Sequence, residues 1–130
     1  MLQLLIVDDS RTVRLAARRM LAQDGVELLE AAHGGEALAT LERHPSIAAV
    51  LLDWFMPVMD GLSLLKAIRS DRRLSQPKIL MCSRQDDPAR IEEALDHGAD
   101  EYIIKPFNEA IVRSKLWLAG LPELGRRMTM

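Results

Sequence analysis

Short apolar runs and amphipathic stretches alternate five times along this chain. Leu2–Val7 is apolar and stops at the acidic pair Asp8-Asp9, after which Ser10 sits where a helix N-cap would. From Arg11 to Gln23 the residues Val13, Ala16, Ala17, Met20 and Leu21 fall on one helical stripe. Val26–Ala31 reads as a second strand, followed across His33-Gly34 by a helix holding Ala37, Leu38 and Leu41. Ala48–Leu52 is an uninterrupted apolar run, the pattern of a strand buried on both faces. Asp60 is placed to cap a third helix carrying Leu62, Leu65 and Ile68, and Pro77 breaks the chain before the strand Lys78–Cys82. A fourth helix begins after Pro88, with Ile91, Ala94, Leu95 and Gly98 at i, i+3, i+4 and i+7. The strand Glu101–Ile104 follows, then a helix over about Asn108–Ala119 with Val112, Leu116 and Ala119 inward. Gly120 and Pro122 are stop signals. The tail, residues 122–130, has no periodicity and is expected to be disordered.

Five strands alternating with five helices predict a doubly wound α/β fold, a parallel sheet covered on both faces with right-handed crossovers. Such sheets bind ligands outside the carboxyl ends of their strands, where the winding reverses. With 130 residues there is room for one domain, expected over 1–121, and no second folded module. Lys and Arg total 17 against 19 Asp and Glu, a net charge of −2, which lacks the basic surface that DNA binding by bulk charge demands. Leu4–Val7 is too short to span a membrane and lacks the basic start of a signal peptide. The single cysteine, Cys82, excludes an internal disulfide and fits a reducing, cytoplasmic setting; within its apolar strand it reads as a small buried hydrophobe.

The strand ends therefore decide the chemistry. Strand one ends in Asp8-Asp9, strand three in Asp53, strand four in Ser83 and strand five in Lys105-Pro106. Parallel winding brings these three carboxylates, one hydroxyl and one ammonium to a single rim. Clustered carboxylates repel, so they raise one another's pKa or recruit a cation. Oxygen donors without His or Cys favour Mg²⁺ or Mn²⁺ over zinc. Beside such a cation, a lysine and a hydroxyl are well placed to hold the oxygens of a phosphoryl group. Singly, each position says less. An acidic pair after a strand often only caps the next helix, and a strand-end serine is usually a turn former. A carboxylate directly after Ala48–Leu52 is costly unless it has partners.

The segments Val7-Asp8-Asp9-Ser10, Asp53-Trp54-Phe55-Met56-Pro57-Val58-Met59-Asp60-Gly61, Gly98-Ala99-Asp100 and Lys105-Pro106-Phe107 resemble those of the response-regulator receiver family, most of all its free-standing chemotaxis-type members. The likeness covers about residues 2–119, in order. It implies a flavodoxin-like sheet of order 2-1-3-4-5 with five helices, an order for which chemotaxis receivers are known. It implies that Asp53 is the phosphoacceptor for a histidine kinase or phosphotransfer protein, and that Asp8, Asp9, Asp53 and the Phe55 carbonyl hold Mg²⁺, or Mn²⁺ in its place. Ser83 and Lys105 would bind phosphoryl oxygens, with Ser83 moving toward them, and Tyr102 would turn inward as the switch aromatic. Plain packing is the other reading of Tyr102. The bond to Pro106 would be cis, which proline alone makes cheap. A target protein would dock on the fourth helix, fifth strand and fifth helix of a monomer or weak dimer that binds neither DNA nor membrane.

Two positions depart from the commonest family pattern. Arg84 follows the hydroxyl residue where a small residue is usual, and Phe55 stands two after the acceptor where a polar residue is frequent. Both are expected at the mouth of the site. Arg84 either contacts the phosphoryl group, pairs with Asp86 or Asp87, or points to solvent. Three other functions compete with this one. A phosphatase of the haloacid-dehalogenase type needs a second aspartate where Phe55 stands. A nucleotide binder needs a GxGxxG or GxxxxGK[ST] loop, and neither is present. A receiver-like interaction domain would have to keep every reactive position filled but idle. His33, His44 and His97 read as capping or surface residues, and Arg69–Arg73 and Arg126-Arg127 as solvated segments.

Overall fold

The computed structural model of the chain describes residues 1–84 and 87–125. Its strands are β1 (Leu2–Val7), β2 (Val26–Ala31), β3 (Ile47–Asp53), β4 (Lys78–Ser83) and β5 (Glu101–Ile104). They form one sheet in the order β2-β1-β3-β4-β5, every pair parallel. Between and after them run α1 (Arg11–Leu21), α2 (Gly34–Arg43), α3 (Gly61–Ser70), α4 (Pro88–Asp96), α5 (Glu109–Leu118) and α6 (Pro122–Gly125). None of these helices is long and apolar enough to cross a membrane.

Period-two alternation explains why the central strands read as continuous apolar runs. Leu5 and Val7, Val50 and Leu52, and Ile79 and Met81 point into one core with Leu64, Leu65 and Ile68 of α3. Leu4, Ala49, Leu51, Leu80 and Cys82 point into the other, against Leu21 of α1 and Val112 and Leu116 of α5. Helix starts are fixed by side-chain acceptors. Ser10, Asp60, Asp87 and Asn108 accept from Val13, Ser63, Ala89 and Ile111 N–H groups, each cap being worth about 1 kcal/mol. His33 caps α2 by accepting from the Glu36 N–H, while the Glu36 carboxylate accepts from the Ala32 N–H. His44 and His97 end α2 and α4.

The structure corrects two expectations. The disorder expected from 122 onward does not hold for residues 122–125, which form a sixth helix with Leu124 and Gly125 buried. Arg113 of α5 causes this. Its side chain is fully buried and donates to Glu109 Oε2 (2.9 Å), Gln23 Oε1 (2.6 Å), Met20 O (3.0 Å) and Leu124 O (2.6 Å), tying α6 to α5 and to the end of α1. Residues 126–130, with Arg126-Arg127, lie outside the described residues. The second correction concerns Arg69, whose half-buried guanidinium is held by protein acceptors rather than left to solvent. It donates to the carbonyls of Gly98, Ser75 and Pro77 and to Asp100 Oδ2, and Asp100 also accepts from the Ile79 N–H. That network locks the α4–β5 turn, where Gly98 takes a positive φ of 106° and a Cβ would press on Arg69.

Candidate phosphoryl-transfer site

The carboxyl ends of β1, β3 and β5 converge on one ammonium. Lys105 Nζ lies 2.7 Å from Asp8 Oδ2 and 2.8 Å from Asp53 Oδ1. Asp8 and Asp53 are buried, whereas Asp9 is exposed at the rim. One carboxylate oxygen from each of the three lies within 4.8 Å of the others. The backbone sets these positions. Asp8 Oδ1 accepts from the Ser10 N–H (2.9 Å), and Arg14 Nη1 donates to the Asp8 carbonyl (2.7 Å). The Trp54 N–H donates to Cys82 O and the Lys105 N–H to Ser83 O, which level the ends of β3, β4 and β5. The Lys105–Pro106 peptide is cis.

Electrostatics follow from this crowding. Burial raises the Asp53 carboxyl above its usual range, and repulsion from Asp8 and Asp9 adds to it, with Lys105 opposing. Burial works to lower Lys105, but its hydrogen bonds to Asp53 and Asp8 and their charges outweigh that, so its pKa stands above the ordinary lysine value. Cys82, fully buried beneath them, has its thiol pushed up to about 12 by desolvation, which makes it an inert packing group.

An open cleft of about 400 Å³ stands over these groups, lined by Asp8, Asp9, Ser10, Val13, Asp53, Phe55, Arg84 and Lys105. Phe55 and Arg84 are thus both at its mouth, and both are exposed. Asp87 spends its carboxylate on the α4 cap, and Asp86 lies outside the described residues. Ser83 is fully buried at the end of β4. Tyr102 is buried on β5, its ring 6.4 Å from that of Trp54. No sequence pattern singles out Arg90, whose guanidinium covers the rings of Trp54 and Phe55.

The loop from β3 to α3 folds back tightly, since the Gly61 N–H donates to Trp54 O (2.7 Å) and a Cβ at Gly61 would collide with the Asp53 carbonyl. Its tip is strained. Val58, β-branched and fully exposed, has a φ of 71°, in the left-handed region that such residues avoid. Val58→Asn is expected to stabilise the protein by about 1 kcal/mol, because asparagine tolerates that region and Val58 has no packing to lose. Thermal unfolding checks this, and an unchanged or lowered midpoint would refute it.

Comparison with known proteins points the same way as the geometry. Residues 4–116 match the family model described as the response regulator receiver domain. Chemotaxis protein CheY1 of Helicobacter pylori is 39% identical over 116 residues, covering 88% of this chain and 94% of that protein. A chemotaxis protein CheY homolog of Campylobacter jejuni is 35% identical over 88% of this chain and 89% of its own length. The solved structure of chemotaxis response regulator CheY4 of Vibrio cholerae superposes with a TM-score of 0.83 at 32% identity, covering 92% of this chain and 98% of that one. A CheX–CheY–BeF3–Mg²⁺ complex from Borrelia burgdorferi gives 0.82 at 30% identity over 88% and 86% of the two chains. An acidic cluster joined by one lysine at the strand ends, a matching sheet order and relatives of this similarity together leave one assignment: the chain is a CheY-like member of the response regulator receiver domain family.

Proposed function

We propose that the chain is the phosphoacceptor of a cytoplasmic two-component system, with Asp53 as the nucleophile. The observation that carries this reading is the bridging of Asp8 and Asp53 by Lys105, with Asp9 alongside. Asp53 attacks the phosphorus of a kinase's phosphohistidine. An O–P bond forms as the N–P bond breaks, and the imidazole nitrogen leaves with the electron pair. Lys105 neutralises one transferring oxygen and Ser83 donates to another, so that positioning and charge supply most of the acceleration. Receivers bind Mg²⁺ at an acidic pocket, and the all-oxygen donor set here fits such a hard ion. When bound, held by Asp8, Asp9, Asp53 and the Phe55 carbonyl, Mg²⁺ or Mn²⁺ would neutralise phosphoryl charge.

The acyl phosphate biases a switch through Ser83 and Tyr102 toward the α4–β5–α5 surface. Leu95, Ile104, Ile111 and Leu118 on those elements are each at least 40% exposed, which suits docking of an apolar partner face. The Borrelia CheY in complex with CheX supports another protein as a binding partner. Incubation with phosphoramidate or a phosphorylated kinase domain tests the reading. Uptake of one phosphoryl group that requires Mg²⁺ supports it, and no uptake from either donor rejects it.

Two further outcomes follow. Trp54 emission should report Mg²⁺ binding in the millimolar to submillimolar range, roughly, since Mg²⁺ dehydrates reluctantly. Asp9→Ala should bind it more weakly; equal binding would remove Asp9 from the ligand set. Phe55 and Arg84 stand at the mouth of the cleft, where they would hinder the in-line water that hydrolyses the acyl phosphate. Phe55→Asn combined with Arg84→Ala should shorten its half-life about tenfold, a barrier change of roughly 1.4 kcal/mol. An unchanged half-life in the double variant would sink the idea.

A further inference from the structure

Arg90, in the first turn of α4, places its guanidinium carbon 5.5 Å from the centroid of the Trp54 ring and 5.1 Å from that of Phe55. The two ring centroids are 6.4 Å apart with planes 33° from parallel, so one cation serves both. The rings differ in how they are held. Trp54 is buried, its backbone fixed by Cys82 and Gly61 and its ring set 6.4 Å from Tyr102. Phe55 is 48% exposed and borders the cleft over Asp53. An exposed phenyl ring is free to change rotamer unless something faces it. Arg90 forms no ion pair with a described residue, which leaves its charge for the rings.

We infer that Arg90 is a positioning residue for this site: it clamps Phe55 against Trp54 and so holds the ring at the border of the cleft that Asp53 lines. The inference rests on Asp53 being the phosphoacceptor. Hydrolysis of the acyl phosphate needs a water whose oxygen attacks phosphorus as the bond to Asp53 breaks, releasing inorganic phosphate and restoring the carboxylate. A fixed Phe55 ring obstructs that approach, and a mobile one does not. Because Arg90 belongs to α4 and Phe55 to the β3–α3 loop, the lifetime of the phosphorylated state is set in part from α4.

The test uses the full chain, phosphorylated with phosphoramidate and Mg²⁺, with the half-life followed after donor removal. Arg90→Met keeps bulk and removes charge, and should shorten the half-life about threefold; Arg90→Lys, which keeps the cation, should restore most of it. In a Phe55→Leu background, Arg90→Met should change the half-life by less than about 1.5-fold, since the ring on which it acts is gone. With Trp117→Phe leaving Trp54 as the sole tryptophan, Arg90→Met should alter the emission spectrum and Arg90→Lys should not. An unchanged half-life in Arg90→Met, or equal shortening with and without the Phe55 ring, would overturn the inference while leaving the phosphoacceptor reading intact. A wild-type chain that takes up no phosphoryl group would overturn both.

Discussion

Asp53→Asn is expected to abolish phosphoryl uptake, a loss of roughly 10³-fold or more, because the amide keeps the shape of the side chain but has no anionic oxygen to attack phosphorus. The fold should survive. Asparagine retains an acceptor for Lys105 Nζ, which lies 2.8 Å from Asp53 Oδ1. The apo protein should even gain stability near neutral pH. Folding raises the Asp53 pKa above 3.8, chiefly by burial, so the folded state binds this proton more tightly than the unfolded state does. The charged carboxylate therefore destabilises the fold in full above its folded pKa, and the penalty disappears below the unfolded value. The gain in melting temperature of Asp53→Asn should accordingly shrink as pH falls through the acid range. A radiolabelled phosphoryl group arriving undiminished on Asp53→Asn would place the acceptor elsewhere, and a gain that grows toward acid would refute the electrostatics.

Arg113→Met carries the largest expected effect on stability. The fully buried guanidinium satisfies Gln23 Oε1 and the carbonyls of Met20 and Leu124. Methionine fills much of the volume but leaves those acceptors without their donor, at about 1–3 kcal/mol for each that stays dry. Some will find water as α6 loosens, so the net loss should be about 3 kcal/mol. Glu109→Gln is the contrast. Its carboxylate is 43% exposed, so the Arg113–Glu109 pair is screened and should contribute less than about 1 kcal/mol. Denaturant unfolding of both variants decides the matter. Equal losses would mean that the ion pair, and not the desolvated carbonyls, holds α6 in place.

These outcomes bear on what the sequence made legible. The strands were readable because β3 and β4 are buried on both faces, so Val50 and Leu52 alternate with Ala49 and Leu51 between two cores without a polar break. Asp53 was readable because it directly follows the run Ala48–Leu52, where a charge is tolerated only with partners, and Asp8, Asp9 and Lys105 because they stand at strand ends that parallel winding brings to the same rim. Arg113 was not. A lone arginine on a helix has the same local pattern whether its guanidinium meets water or carbonyls from α1 and α6, and that contact joins residues up to 93 positions apart. The helical turn after Pro122 did have a signal, since proline favours a first helical position and Leu121 and Leu124 follow the expected spacing. Gly120 masked it by reading as a stop. The Arg69 network is illegible for a related reason: Gly98, Ser75 and Pro77 come within its reach only once the sheet is wound. The Arg90 contact likewise joins α4 to the loop after β3, a pairing that only the tertiary fold creates.

The role of Asp53 is open to one decisive measurement. The chain is incubated with a phosphodonor and Mg²⁺, reduced with borohydride, which converts an aspartyl phosphate to homoserine, and then digested and sequenced by mass spectrometry. Homoserine at position 53, dependent on donor and on Mg²⁺, is the expected result. Homoserine at Asp8, Asp9 or another aspartate, or at none, would contradict it.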